Sequence, residues 1–267
     1  MLRVGKINIG TPAVMGILNV TPDSFSDGGS HRSVSDAVTH ALKMVDDGAA
    51  IIDIGAESTR PGFSHVPVSE ELSRLIPVIR GIREVSDVVI SVDTMKSAVA
   101  YEAVSAGADI INDVNSFRGE GMFECASEMG VPIVLMHSPF DIDMVHQNDM
   151  VGDPIPQMVS FFEERIAMAE DHGIGRKDII LDPGIGFGKT MEQNAEIVTR
   201  FSELRIGQPL LMALSRKRVL AHMYPDMDRD DATIRASMLS IENGADIVRV
   251  HDVKRMCDAI RGCTCRR

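Results

Sequence analysis

The sequence predicts an α/β protein, a (β/α)8 TIM barrel forming one domain over residues 1–267, and three observations carry that reading. Eight short apolar runs, each ending in a polar residue, are spaced along the 267-residue chain. Segments of helical periodicity separate them. Three connections share a Gly-Ala-(Asp or Ala)-Ile ending, at 48–51, 107–110 and 244–247, where a helix closes on glycine and runs straight into the next strand.

The apolar runs occupy 13–19, 50–55, 88–93, 108–112, 132–137, 178–182, 209–215 and 245–251. Their near-continuous Val and Ile content is that of strands covered on both faces of a parallel sheet. After the first run, Val38, Ala41, Leu42 and Val45 fall on one helical face, with Ser33 and Ser35 as N-cap residues and Gly48 as terminator. After the second, Leu72, Leu75, Ile76 and Ile79 repeat the spacing behind an acidic start, and Pro77 predicts a kink. Phe161, Phe162, Arg165, Ile166 and Ala169 do the same before Gly173. A doubly wound open sheet is the weaker alternative, because it does not require polar residues at the ends of so many successive strands.

Composition narrows the function. Hydrophobic residues make up 44% of the chain, enough to bury a sizeable core. Twenty-seven Lys and Arg stand against 39 Asp and Glu, a formal charge of −12, which argues against general nucleic-acid binding and leaves room for a local cationic pocket. The first residues lack the apolar core of a signal peptide, and no run reaches the ~18 apolar residues of a membrane span. A cytoplasmic protein is expected. Cys257, Cys263 and Cys265 do not match a zinc spacing and read as solvent-facing thiols in a reducing compartment.

A barrel of this kind carries its chemistry at the C-terminal strand ends. Those positions hold Asn19, Glu57, Asp93, Asn112, His137, Asp182, Ser215 with Lys217, and Arg249 with His251. One polar strand end is commonly a loop cap, but a ring of this composition points to a polar ligand. The loops 20–32 and 56–68 exceed the usual connection length and lie over that face. The stretch from Gly184 to Thr190 resembles a phosphate loop, but Pro183 stands where its first glycine belongs. His40, His65, His146, His172 and His222 have no partner spacing and read as surface or core residues.

Longer motifs add a family resemblance. Asn19-Val-Thr-Pro-Asp-Ser-Phe-Ser-Asp-Gly-Gly29 and Asp53-Ile-Gly-Ala-Glu-Ser-Thr-Arg-Pro-Gly62 resemble the first two signatures of the dihydropteroate synthases. Ser91-Val-Asp-Thr94, Gly107-Ala-Asp-Ile-Ile-Asn-Asp113, Leu181-Asp-Pro-Gly-Ile-Gly-Phe-Gly-Lys189, Ser215-Arg-Lys217 and Gly244-Ala-Asp-Ile-Val-Arg-Val-His-Asp252 follow in order. The resemblance runs from the first strand to the eighth. It implies a TIM-barrel transferase of folate biosynthesis, commonly dimeric and a target of sulfonamides. Such enzymes join 6-hydroxymethyl-7,8-dihydropterin diphosphate to p-aminobenzoate with Mg2+ on the leaving diphosphate.

The resemblance also implies roles. Asp93, Asn112, Asp182 and Lys217 would bind the pterin, Asp182 taking its amine and ring N–H, and Lys217 donating to its carbonyl and ring nitrogen. Asn19 would ligate Mg2+ and, with Arg249 and His251, hold the diphosphate. Asp27 would stabilise the cationic methylene left when diphosphate departs, and Lys217, Arg249 and His251 share that catalytic group. Phe25, Thr59, Arg60, Pro61, Phe187 and Arg218 would form the p-aminobenzoate pocket, with the first two loops excluding water.

The chain departs from the family pattern in four places. Ala56 replaces a frequent glycine, Ser-Pro-Phe-Asp-Ile-Asp follows His137 in place of a glycine-containing turn, Arg218 replaces a frequent serine, and the stretch 219–231 is short and acidic. Two other functions compete. A corrinoid-type pterin methyltransferase barrel would have no use for Asp27, Thr59-Arg60-Pro61 or Lys217 in these contexts. A paralogue that binds pterin without catalysis, or uses another arylamine, would keep the pterin residues and differ at Arg218 and the fifth loop.

Overall fold

In the computed structural model, residues 2–21, 30–59 and 62–264 are described, without the side chains of 30–33 and 264. Phe25, Asp27, Arg60 and Pro61 therefore lie outside the described residues. Among the described residues, β1 (Leu2–Val4) and β2 (Ile7–Ile9) form an antiparallel hairpin. The barrel strands follow: β3 (Ala13–Asn19), β4 (Ile51–Gly55), β5 (Val89–Asp93), β6 (Ile110–Asp113), β7 (Ile133–Met136), β8 (Ile179–Asp182), β9 (Leu211–Met212) and β10 (Ile247–Val250). All pair in parallel in the order β8-β7-β6-β5-β4-β3-β10-β9. A single parallel bridge, Leu181 to Leu210, joins the two ends.

The eight strands match the eight apolar runs, with one shortening: the run 209–215 yields only two residues of ladder at β9. Helices α1 (Ser30–Asp46), α2 (Val68–Arg83), α3 (Ser97–Ser105), α4 (Met122–Met129), α5 (Pro154–Asp171), α6 (Met191–Thr199), α7 (Val219–Met223), α8 (Arg229–Glu242) and α9 (Val253–Thr264) complete the α/β architecture. Their starts have chemical causes. Asp153 caps α5 by accepting from the Ile155 N–H at 3.0 Å, with Pro154 in the first turn where its missing donor costs nothing. Thr190 and Gln193 form a reciprocal capping box on α6. Pro77 lies inside α2, which continues through it to Arg83.

Period-two alternation sorts each strand into two sets. Outward residues such as Ile52, Ile54, Ile90, Val92, Ile111, Leu135, Leu181 and Val248 pack against the helices in the main core. Inward residues Ala13, Met15, Ile51, Ile110, Val134, Ile180, Leu211 and Ile247 fill the lower barrel together with Leu2, Val4 and Ile9 of the hairpin. The hairpin thus closes the N-terminal end, leaving the C-terminal end for the site. No described helix is long and apolar enough to cross a membrane.

Candidate active site

One step above the apolar layer, the inward positions change character. On β4, Ile51 is followed inward by Asp53 and then Gly55; on β5, Val89 by Ser91 and Asp93; on β6, Ile110 by Asn112; on β8, Ile180 by Asp182; on β10, Ile247 by Arg249. Register places Asp93 beside both Gly55 and Asn112. Glycine at 55 spares a tight contact, since a Cβ there would lie 3.3 Å from the Asp93 Cβ.

Arg249 ties this layer together. Its Nε donates to Asp53 at 2.6 Å and its Nη2 to Asp93 at 2.9 Å. Burial opposes its charge, but Asp53 and Asp93 outweigh that and hold the guanidinium above its ordinary range. Asp93 moves the other way. Burial, with the Asp53 carboxylate beside it, pushes Asp93 up to about 7 against the pull of Arg249. The Asn112 amide donates to both Asp53 oxygens at 3.3 Å.

Asp182 and Lys217 form the opposite wall. Asp182 is buried, accepts from the Gly184 N–H at 2.7 Å, and is raised by burial against the opposing pull of Lys217. Burial lowers Lys217 to about 8, and Asp182 limits the fall. The Lys217 ammonium donates to the Ile185 carbonyl at 2.5 Å and stands 5.2 Å from the centre of the Phe187 ring. It reaches there from a tight turn in which Arg216 takes a φ of 60° and the Lys217 N–H donates to Leu214.

Lys189, a residue of the phosphate-loop look-alike, is buried and serves the chain itself. Its ammonium donates to the carbonyls of Phe187, Gly184 and His137, at 2.9, 3.0 and 3.3 Å. Gly184 has a φ of 64° and approaches His137 so closely that a Cβ would lie 2.1 Å from the His137 carbonyl oxygen. The loop bearing Phe187 is thereby fixed against the end of β7.

A family model described as pterin binding enzyme matches residues 15–251. Dihydropteroate synthase of Bacillus subtilis (strain 168) is 48% identical over 247 residues, covering 91% of this chain and 84% of that one. Its counterpart in Escherichia coli (strain K12) is 42% identical over 259 residues, covering 96% and 92%. The solved dihydropteroate synthase from Xanthomonas albilineans in complex with 7,8-dihydropteroate superposes with a TM-score of 0.87 at 37% identity, covering 98% of each chain. This chain belongs to the pterin-binding enzymes.

In this pterin-binding enzyme the sequence-derived positions sort into four groups. Asp93, Asn112, Asp182, Lys217 and Arg249 are carried on inward positions or at the turn beside them, at the C-terminal end of the barrel. Asn19 ends β3 opposite Gly55, and the His251 Nδ1 pairs with the Ser215 hydroxyl at 2.8 Å, both on the same rim. Thr59 and Phe187 meet through His146, whose Nε2 bonds the Thr59 carbonyl at 2.8 Å and whose ring lies 5.5 Å from Phe187. Arg218 is exposed at the start of α7, next to Lys217.

Several sequence expectations change. His137 leaves the ring: Met136 takes the inward position, and His137 packs its buried imidazole edge-on against Phe161 at 4.8 Å. Glu57 joins Lys96, which also holds buried Glu71 at 2.6 Å, while Thr94 donates to Glu71 at 2.7 Å. His65 and His146 do have partners: His65 spans Glu57 at 3.1 Å and Asp143 at 2.8 Å, linking the second loop to the fifth. The fifth loop is thus a support: its Ile142 and Val145 cluster with Phe187 and pack against Phe63. Cys257 is buried, its thiol against the Gly48 carbonyl, so the solvent-facing expectation fails there. Asp53 was missed because a carboxylate between Ile52 and Ile54 reads as part of an apolar run; its position two residues beyond inward Ile51 was the available signal.

Proposed function

We infer that this chain is a dihydropteroate synthase, joining 6-hydroxymethyl-7,8-dihydropterin diphosphate to p-aminobenzoate and releasing diphosphate. The observation that carries the reading is the juxtaposition, on the C-terminal side of the barrel, of buried Asp182 with Lys217 and of Asn112 and Asp93 with Arg249. Burying these groups without a ligand of matching polarity is costly. A pterin ring offers that match: its amine and ring N–H donate to Asp182, and its carbonyl and ring nitrogen accept from Lys217. At 37–48% identity, the relatives carry the same activity in their names.

In the reaction, the bond between the pterin methylene and the diphosphate oxygen breaks, and its electron pair leaves with diphosphate. The arylamine nitrogen then bonds to the methylene and releases a proton to solvent. Arg249, His251 and Asn19 are assigned to the diphosphate, Lys217 and Asp182 to the ring. Asp27 is assigned to the cationic methylene. Thr59, Phe187 and Arg218 are assigned to p-aminobenzoate together with Phe25, Arg60 and Pro61. Because the amine is neutral near pH 7, positioning and leaving-group electrostatics supply the rate.

Among the described residues no three His, Cys, Asp or Glu side chains converge as a metal cage. The available donor suits Mg2+ in another way: Asn19 offers a hard amide oxygen, with diphosphate oxygens and water to complete the shell. The ion would supply charge neutralisation on diphosphate. A homodimer and a cytoplasmic location belong to the same reading, on the family resemblance.

The test is product formation. Protein, Mg2+, the pterin diphosphate and p-aminobenzoate should yield 7,8-dihydropteroate by mass spectrometry, and chelation of Mg2+ should abolish it. Pterin binding without product would shift the reading to a paralogue using another amine, and methyl transfer from methyltetrahydrofolate to cobalamin would shift it to the methyltransferase class.

A further inference from the structure

We propose that Asp53 is a positioning residue for this reaction, its buried carboxylate fixing both the Asn112 amide and the Arg249 guanidinium in the orientations that meet the substrate. The inference rests on the pterin reading above and concerns a residue to which that reading gives no role.

Asp53 is fully buried in the middle of β4. A carboxylate there is expensive compared with an apolar residue of similar size, and the layer immediately below shows the cheaper solution in Ile51, Ile110 and Ile247. Stability of the barrel therefore does not account for it. Its contacts do. Arg249 reaches it through Nε at 2.6 Å, and Asn112 through Nδ2 at 3.3 Å from each oxygen. Its two clearest partners are thus two of the groups assigned to substrate.

Each contact has a directional consequence. A carboxylate only accepts, so it holds the Asn112 NH2 downward and leaves Oδ1 for the ligand. Asn112 then presents an acceptor and selects a ring N–H; without Asp53 the amide can turn over and present a donor. On Arg249, Asp53 lies 2.6 Å from both Nε and Nη2, and Asp93 accepts from Nη2 at 2.9 Å, so one edge of the guanidinium plane is committed to two carboxylates. That sets the plane and leaves Nη1 for an anion. One buried carboxylate thereby aligns the ring-binding and anion-binding halves of the site.

Asp53→Asn keeps the shape and removes the obligatory acceptor. Fluorescence titration with 6-hydroxymethylpterin should show affinity falling about tenfold to a hundredfold, with kcat/KM for the pterin diphosphate falling at least as far. Ile51→Val, on the same strand and facing inward one layer down, should lower Tm and leave both quantities within twofold. The exchange variant Asp53→Asn/Asn112→Asp restores a donor–acceptor pair with an oxygen toward the ligand. It should regain about tenfold in pterin affinity over Asp53→Asn while kcat/KM stays low, because the anchor below Arg249 has lost its negative charge and holds the guanidinium less firmly. If Asp53→Asn does not fold, the exchange variant still reads the split: pterin affinity near wild type with depressed kcat/KM. Unchanged affinity in Asp53→Asn, no recovery in the exchange variant, or equal losses in Ile51→Val would overturn the proposal. Failure of the wild-type enzyme to bind 6-hydroxymethylpterin would instead remove the functional reading.

Discussion

The two ends of this barrel are made by the same strands at successive inward positions, and they solve opposite problems. At the N-terminal end, Met15, Ile51, Ile110, Val134, Ile180 and Ile247 meet one another and the hairpin residues Leu2, Val4 and Ile9. One layer up, Asp53, Asp93, Asn112, Asp182 and Arg249 replace them with groups that must find partners or pay for burial. Closely spaced aliphatic side chains need only fill space. The upper layer needs directed bonds, and the carboxylates of Asp93 and Asp182 are raised from their ordinary range chiefly by burial. The lower end stores stability, and the upper end holds back polarity for recognition.

The sharpest way to break this division is at Lys217. Lys217→Ala should cost about 10²–10³ in kcat/KM for the pterin diphosphate with little change in Tm. A large fall in Tm without a change in pterin affinity would put Lys217 among the structural residues. In the wild-type enzyme the ammonium is lowered to about 8, so pterin affinity should decline as pH rises through that value.

The next effect is on stability. Asp93 and Asp113 are both raised to about 7, chiefly by burial, and bind protons in the fold that they release when unfolded near neutrality. Stability from these two groups is therefore complete below the ordinary carboxylate pKa of about 4 and is lost as pH rises through about 7. Thermal unfolding of the ligand-free protein should show Tm falling across that window. Asp93→Asn should flatten the slope, and an unchanged slope would contradict the assignment.

Ile180→Val probes the other end and should cost about 0.5–1.5 kcal/mol in urea unfolding while leaving pterin affinity unchanged. The smallest effect belongs to the rim. His65 is raised, chiefly by its bond to Asp143, but half of its side chain is open to solvent. His65→Ala should therefore change stability by less than about 1 kcal/mol. Its raised pKa makes the contribution complete below about 6.5 and lost as pH rises beyond, and a larger effect at pH 8 than at pH 5.5 would reverse that sign.

What the sequence revealed follows the range of the interactions. The strands were legible because aliphatic runs and the Gly48, Gly107 and Gly244 terminators, with φ of 109°, 120° and 97°, are local signals. The residues assigned to the pterin were legible as candidates because they sit at strand ends inside specific motifs. The links from His65 to Asp143, from Lys96 to Glu57 and Glu71, and from Asp53 to Arg249 were not, because they join residues 25 to 196 positions apart and only the closed barrel brings them together. The hairpin was missed for a related reason: three-residue strands carry too little alternation to register, and their apolar faces are explained only by the barrel floor they cover.

That hairpin bears on how the chain is made. Gly5 donates to the Lys177 carbonyl, and Leu2, Val4 and Ile9 pack in one cluster with Ile180, Leu211 and Ile247. The hairpin therefore cannot seat until residues as far along the chain as Ile247 have been made. Barrel closure has the same timing, since β3 pairs with β10. Synthesis of this chain leaves an apolar end uncovered until late, a transient exposure that favours aggregation of the incomplete barrel. Its folding rate should be governed by sequence separation more than by helix formation.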